Sequence, residues 1–246
     1  MADLRSIPIG VEDFKEIVDK NYYFVDKTLL IKDILDSSSK VTLFTRPRRF
    51  GKTLNMSMLR RYFEKTEEDI FDRLKIAGAG ERYQKYMGQY PVISISLKSM
   101  KQPTYEAAFA RFRSLIVRDF ERHDVIIASD KLKPLQRKRF SEIYNGTADN
   151  SVYEESLKLL SDCLSAVYKK NVIVLIDEYD VPLENAYFNG FYDEMINLIR
   201  SVFESVLKTN DSLEFDVLTG CLRISKESIF TGLNNLRTCL HKKKVI

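Results

Sequence analysis

Cysteine and histidine are scarce in this chain, with three and two copies among 246 residues, and their positions close off several chemistries. Cys163, Cys221 and Cys239 form no Cys-x-x-Cys pair and have no histidine at ligand spacing, which argues against a disulfide framework or a zinc site and fits a reducing compartment. His123 and His241 have no well-placed partner for a serine or cysteine triad, so hydrolysis of that kind has no candidate site. Long apolar runs are missing too. No stretch approaches the roughly 18 residues of a membrane-spanning helix, and the opening MADLRSIPIG lacks the apolar centre of a signal peptide; a cytoplasmic protein without membrane contact is expected. Neither sign of charge dominates. The 39 Lys and Arg against 35 Asp and Glu leave a net charge of +4, too little to argue for nucleic acid by itself.

What is present is the alternation of an α/β protein. Apolar residues make up 44% and charged residues 30%, an ordinary balance for a globular chain long enough to bury a full core. Short helices are expected over Val11–Val18 and over Lys27–Leu35, the second capped by Asp26 with Leu30, Ile31, Ile34 and Leu35 on one side. A strand Val41–Thr45 runs into a basic loop and a helix Thr53–Glu64, and a second strand Val92–Leu97 precedes a helix Tyr105–Phe120. Between His123 and Asn150 the chain is polar and irregular, and only a short helix or inserted element is expected there. Ser151-Val152-Tyr153-Glu154 has the form of a capping box opening a helix to about Lys170, followed by the strand Val172–Asp177, a helix Phe191–Leu207 and a strand Leu213–Thr219 that ends at Gly220. Parallel strands need crossovers of this length, so the expected fold is a central, mostly parallel sheet flanked by helices. Ligands of such sheets bind beyond the carboxyl ends of the strands, where Thr45, Asp177 and Thr219 all fall.

Two segments carry the chemistry. Arg46-Pro47-Arg48-Arg49-Phe50-Gly51-Lys52-Thr53, closed by Leu54, sits between a strand and a helix and ends in the Gly-Lys-Thr of a phosphate-binding P-loop. Gly51 permits close backbone approach, Lys52 reaches β- and γ-phosphates, and Thr53 offers a hydroxyl to Mg²⁺. Arg46 stands where the usual pattern has its first glycine, a place whose positive φ arginine adopts only with strain, so a variant loop path is expected, with Pro47 fixing one φ angle and Arg48 or Arg49 adding charge. The second segment is the apolar run Val172–Ile176 ending in Asp177-Glu178. Asp177 is the candidate Mg²⁺ ligand and Glu178 the group that polarises the attacking water. Asp180 reads as a helix or loop cap rather than a third catalytic acid.

With these residues in view, the chain resembles the AAA-ATPase-like P-loop proteins of bacteria and archaea, whose loop reads RPRRFGK followed by Thr or Ser. The likeness runs from about Ile7 to Leu236. It includes Tyr22–Thr28, Arg46–Thr53, Leu175–Asp180, Thr219–Ser225 and Ile229–Asn235. The resemblance implies an AAA-like core, with residues 1–40 as a helical lead-in packed on it, 41–236 as the P-loop domain and 237–246 as an atypical tail. It implies ATP as the ligand, Arg46 as a family habit, Thr219 as a sensor residue, and Arg223 near the nucleotide or a neighbouring subunit. Similar proteins continue into a nuclease-type domain that RTCLHKKKVI does not resemble, so a truncated end, lacking a final strand, is expected.

Three functions stay open at this point. One is a Mg²⁺-dependent ATPase. Another is a nucleotide-dependent switch with little turnover, read by a protein partner or a second copy of the chain. The third is a module of a nucleic-acid-processing protein, to which Lys131, Lys133, Arg137, Lys138 and Arg139 would contribute unless they are simply the solvated face of a helix.

Overall fold

A computed structural model describes residues 5–66, 68–208, 210–221 and 236–239. Arg223, and the Leu222–Asn235 stretch to which it belongs, lie outside the described residues. The chain divides into two compact units, Met1–Ser38 with Arg48–Val92, and Ser39–Pro47 with Ile93–Ile246. The division passes between Pro47 and Arg48, inside the basic loop.

The first unit is built around an aromatic cluster. Helix α1 (Phe14–Asp19) is capped by Asp13, which accepts the Lys15 N–H at 3.1 Å. Helix α2 (Leu29–Ser37) buries Ile31 and Ile34 and stops at Ser38 in the left-handed region. Helix α3 (Lys52–Phe63) buries Met56, Met58, Leu59, Tyr62 and Phe63 at helical spacing, and α4 (Glu81–Gln84) is a single turn. Phe71 is the hub: its ring stacks on Phe14 at 5.5 Å and meets the Tyr62 edge at 5.0 Å. Asp26 does not cap α2 as expected. Thr28 takes the cap position, and the Asp26 carboxylate accepts the Thr28 N–H (2.8 Å), the Thr28 hydroxyl (2.7 Å) and the Lys75 N–H (2.8 Å). A short acceptor can serve several backbone donors at a turn, and here it ties the entry of α2 to a loop 49 positions away.

The second unit carries the sheet. Its strands are β1 (Val41–Thr45), β2 (Val92–Ser96, its first residue assigned to the other unit), β3 (Val172–Asp177), β4 (Leu213–Gly220) and β5 (Leu236–Cys239). They lie in the order β2-β3-β4-β1-β5, all parallel. The fold class read from the alternation is therefore the observed one. A final strand is present, contrary to expectation: β5 pairs with β1, Val41 beside Leu236 and Leu43 beside Thr238. Four residues with two polar ones make a weak local strand signal, and the open edge of β1 decides the pairing.

Helices α5 (Tyr105–Arg122), α6 (Pro134–Tyr144), α7 (Asn150–Glu154), α8 (Ser156–Tyr168), α9 (Val181–Asn189) and α10 (Tyr192–Phe203) complete the unit. One core joins Val41, Leu43, Val174, Ile176 and Leu218 of the sheet to Phe112, Ile116, Phe140, Leu160 and Ile199 of the helices. The expected capping box at Ser151 does not form. The first helix there begins at Asn150, with Asp149 in the cap position, and the chain breaks at Glu155 before α8 starts. The expected single helix Phe191–Leu207 is α10 continued by a π-helical turn over Glu204–Lys208.

Candidate functional site

The carboxyl ends of three adjacent strands meet here, and β4 is the middle one. Parallel pairing sets Thr45 of β1 beside Gly220, and Ile176 of β3 beside Leu218. One step further along β3 and β4, the Thr219 hydroxyl donates to the Asp177 carboxylate. Both residues are buried, at 3% and 4% exposure, so this bond lies away from bulk water. The same hydroxyl oxygen accepts the Glu178 N–H at 3.4 Å, and the Thr219 carbonyl accepts the Tyr179 N–H at 3.0 Å. The hydroxyl thus serves both as donor and as acceptor in place.

Glu178 turns the chain at this point. Its φ is 56°, in the left-handed region, where a side chain other than glycine costs about 1–2 kcal/mol. Strain of this kind persists only where surrounding contacts hold it, and it gathers at working sites. The turn leaves Glu178 half-buried between the buried residues Asp177 and Tyr179.

From β1, Arg46 enters the same region. Its N–H donates to the Gly220 carbonyl at 3.0 Å, and its guanidinium folds back onto the Thr45 carbonyl at 2.8 Å. The loop thus leaves β1 held to the end of β4. Arg46 is not among the positive-φ residues, so the strain expected of an arginine in the glycine position does not arise there.

In the first unit the rest of the loop opens α3. Positive φ falls on Arg49 (68°) and Gly51 (74°), and Gly51, without a Cβ, takes the cap position at no steric cost. Lys52 is the first helical residue and only 7% exposed. Thr53 and Leu54 follow in the first turn, while Arg48 and Phe50 are exposed. A helix start presents N–H groups and a positive dipole end, the arrangement that attracts phosphate. Behind it, Asp13 accepts from the Ser57 hydroxyl at 3.0 Å and from two Arg61 nitrogens at 3.2 and 2.6 Å. Burial works against the Asp13 charge, but hydrogen bonds from Arg61, the Lys15 backbone and Ser57 outweigh it and hold its carboxyl below the usual carboxylate range.

A model of the family described as "Predicted AAA-ATPase" matches residues 8–230, a span that takes in the loop, the Asp177-Glu178 strand end and Thr219. The chain belongs to this AAA-ATPase-like family. A relative from Azotobacter chroococcum mcd 1, the "Uncharacterized protein in vnfD 5'region", is 28% identical over 235 residues, which is 94% of this chain and 40% of the relative. The chain thus spans about two-fifths of that relative's length. No solved structure matches.

Sequence reasoning missed the role of residues 179, 180, 220 and 221. A Cβ built on Gly220 would lie 2.6 Å from the Tyr179 ring and 2.8 Å from the Asp180 carboxylate, and Asp180 accepts the Cys221 N–H at 2.8 Å. The signal available was a glycine directly after a strand, which also reads as a simple turn. The basic residues after position 130 make local contacts instead of joining the strand ends. Lys131 donates to the Val167 carbonyl, Arg137 to the Ser129 carbonyl, and Lys138 and Arg139 pair with Glu142 and Glu155. Among the described residues no helix is long and apolar enough to cross a membrane.

Proposed function

We propose that this AAA-ATPase-like chain binds ATP with Mg²⁺ through the loop Arg46–Leu54 and hydrolyses it with the help of Glu178. The observation that carries the reading is the arrangement at the end of β4: Thr219 is bonded to Asp177 and to the Glu178 backbone, and Gly220 to the residue from which the basic loop departs. The basic loop thus leaves β1 against the strand end that bonds the buried Asp177 carboxylate and the strained Glu178 turn, and further along the chain it opens α3.

Each residue has a defined task in this reading. Lys52 and the first-turn N–H groups of α3 take the phosphate oxygens and lower the cost of charge that develops as the terminal phosphoryl group transfers. Mg²⁺ asks for hard oxygen donors and leaves much of its coordination to water and phosphate; the Asp177 carboxylate and Thr53 hydroxyl are donors of that kind, and the ion they would hold neutralises phosphate charge. Glu178 orients a water and takes its proton as the water oxygen bonds to the γ-phosphorus and the bond to the β-phosphate oxygen breaks, releasing ADP and phosphate. Thr219 keeps Asp177 and the Glu178 turn together while this happens.

The test is ATP turnover by the wild type, Glu178→Gln and Lys52→Ala, with calorimetric titration of ATP, GTP and ADP with and without Mg²⁺. Glu178→Gln is expected to bind ATP and lose about 100-fold or more in kcat, the usual worth of a positioned base. Lys52→Ala is expected to weaken binding as well. Equal rates in all three proteins would remove the reading.

A further inference from the structure

Asp180 sits in the cap position of α9, yet its side chain makes no capping bond. It is 1% exposed, and a carboxylate so deeply buried is costly unless strong donors meet it. One such donor is the Cys221 N–H, 2.8 Å away. This contact is the last of a series. Asp177 receives the Thr219 hydroxyl, the Glu178 N–H reaches the Thr219 side chain, the Tyr179 N–H reaches the Thr219 carbonyl, and Asp180 receives the Cys221 N–H. Four successive residues of one segment thus grip two of the other, Thr219 and Cys221. Gly220 lets them close, because a side chain there would push the Tyr179 ring and Asp180 away.

We propose that Asp180 is a positioning residue for nucleotide hydrolysis: by holding the Cys221 amide it keeps the end of β4 against the Glu178 turn, and so keeps Glu178 in its strained working conformation. The proposal rests on the hydrolysis reading above. The physical reason is that a left-handed glutamate relaxes once its neighbours allow it. Thr219 supplies the bonds that resist this, and Thr219 is fixed in turn by what anchors the two residues after it. Loss of the Asp180 carboxylate therefore acts on turnover through Glu178, while affinity, which the reading assigns to the loop Arg46–Leu54, is kept.

The experiment uses the full chain as wild type, Asp180→Ala, Asp180→Asn and Asp180→Glu. It measures kcat, the Kd for ATP, and hydrogen exchange at the Cys221 amide without nucleotide. Asp180→Ala is expected to lower kcat by about 10- to 100-fold with Kd within about 3-fold, the pattern of an interaction realised in the transition state, and to speed exchange at Cys221 by about 10-fold or more. Asp180→Asn keeps an acceptor oxygen and should restore both. Asp180→Glu keeps the charge but displaces it, so it should fall between the two, with kcat following the exchange rate. Should Asp180→Ala not fold, the Asn and Glu variants carry the comparison. Exchange that does not change with the substitution, kcat that does not follow it, or kcat and affinity falling together would overturn the proposal. A wild type that binds ATP without turnover would remove the hydrolysis reading and this role with it, even with the exchange pattern as expected. A wild type that turns over with kcat indifferent to Asp180 would remove this role alone.

Discussion

The hydroxyl of Thr219 donates to the carboxylate of Asp177 across 42 positions of sequence, and this bond joins the two strand ends that carry the candidate chemistry. Removing it leaves a buried carboxylate short of a donor. Thr219→Val, which keeps the shape, is expected to lower unfolding free energy by about 1–3 kcal/mol, the cost of a buried polar group losing its partner. Urea denaturation measures this, and a change under about 0.3 kcal/mol would show that the bond contributes nothing.

Glu178 offers a comparison in which the usual helix and strand preferences reverse. Glycine normally destabilises relative to alanine, but at φ 56° it removes a left-handed penalty of about 1–2 kcal/mol. Both Glu178→Gly and Glu178→Ala delete the carboxylate. The glycine variant should be the more stable by about 1 kcal/mol, as read from urea midpoints at equal slope, and neither should turn over ATP at the wild-type rate.

Asp216 predicts a pH dependence. It lies in β4 between Val41 and Val174, fully buried, and neither carboxyl oxygen has a hydrogen-bond partner among the described residues. Burial pushes its carboxyl well above the ordinary aspartate range, which favours the protonated form in the folded protein. The sign follows from proton counting. Below the unfolded-state value both states carry the proton and there is no cost. Above that value folding must take up a proton, so stability is lost as pH rises until the folded-state value is reached. Asp216→Asn, neutral at every pH, should therefore gain on the wild type by about 1.4 kcal/mol per pH unit in that window. Melting temperatures at pH 4 and pH 8 test it, and a gain independent of pH would show the group to be ionised in the folded protein.

Asp13 behaves in the opposite sense. Its contribution is present above the usual carboxylate range and disappears as pH falls through its lowered value. Asp13→Ala removes the cap of α1 together with the bonds to Ser57 and Arg61 of α3, and should cost about 1–2 kcal/mol at neutral pH, in the range of a lost cap. The difference from wild type should shrink at pH 3. Hydrogen exchange along α3 would show whether the lost stability is lodged in that helix.

Much of the architecture is legible in the sequence, for a physical reason. The strands Val41–Thr45 and Val172–Asp177 are apolar runs bounded by polar residues, and α3 and α5 repeat their buried side chains at three and four positions, so a local pattern was enough. Other elements were missed where local signals were weak or pointed elsewhere. In α9 the buried residues Val181, Pro182, Leu183 and Ala186 gather at its start while Tyr187 and Phe188 are exposed, which is no regular stripe. The short helix expected between His123 and Asn150 is α6, where two apolar residues, Phe140 and Ile143, bury themselves within a basic segment. The Ser151 box matched a pattern, yet the helix had already begun at Asn150.

By itself the sequence determined which short segments could be strands and helices, and which residue types stood at their ends, because apolar periodicity and the demands of a Gly-Lys-Thr loop act over a few neighbouring residues. Only the tertiary structure decided that β4 lies between β1 and β3, that Thr219 therefore meets Asp177, that Asp180 spends its carboxylate on Cys221, and that β5 closes the open side of β1. Those outcomes depend on which strand edges pair after long crossovers, a choice settled by packing across the whole sheet and left open by any single stretch of the chain.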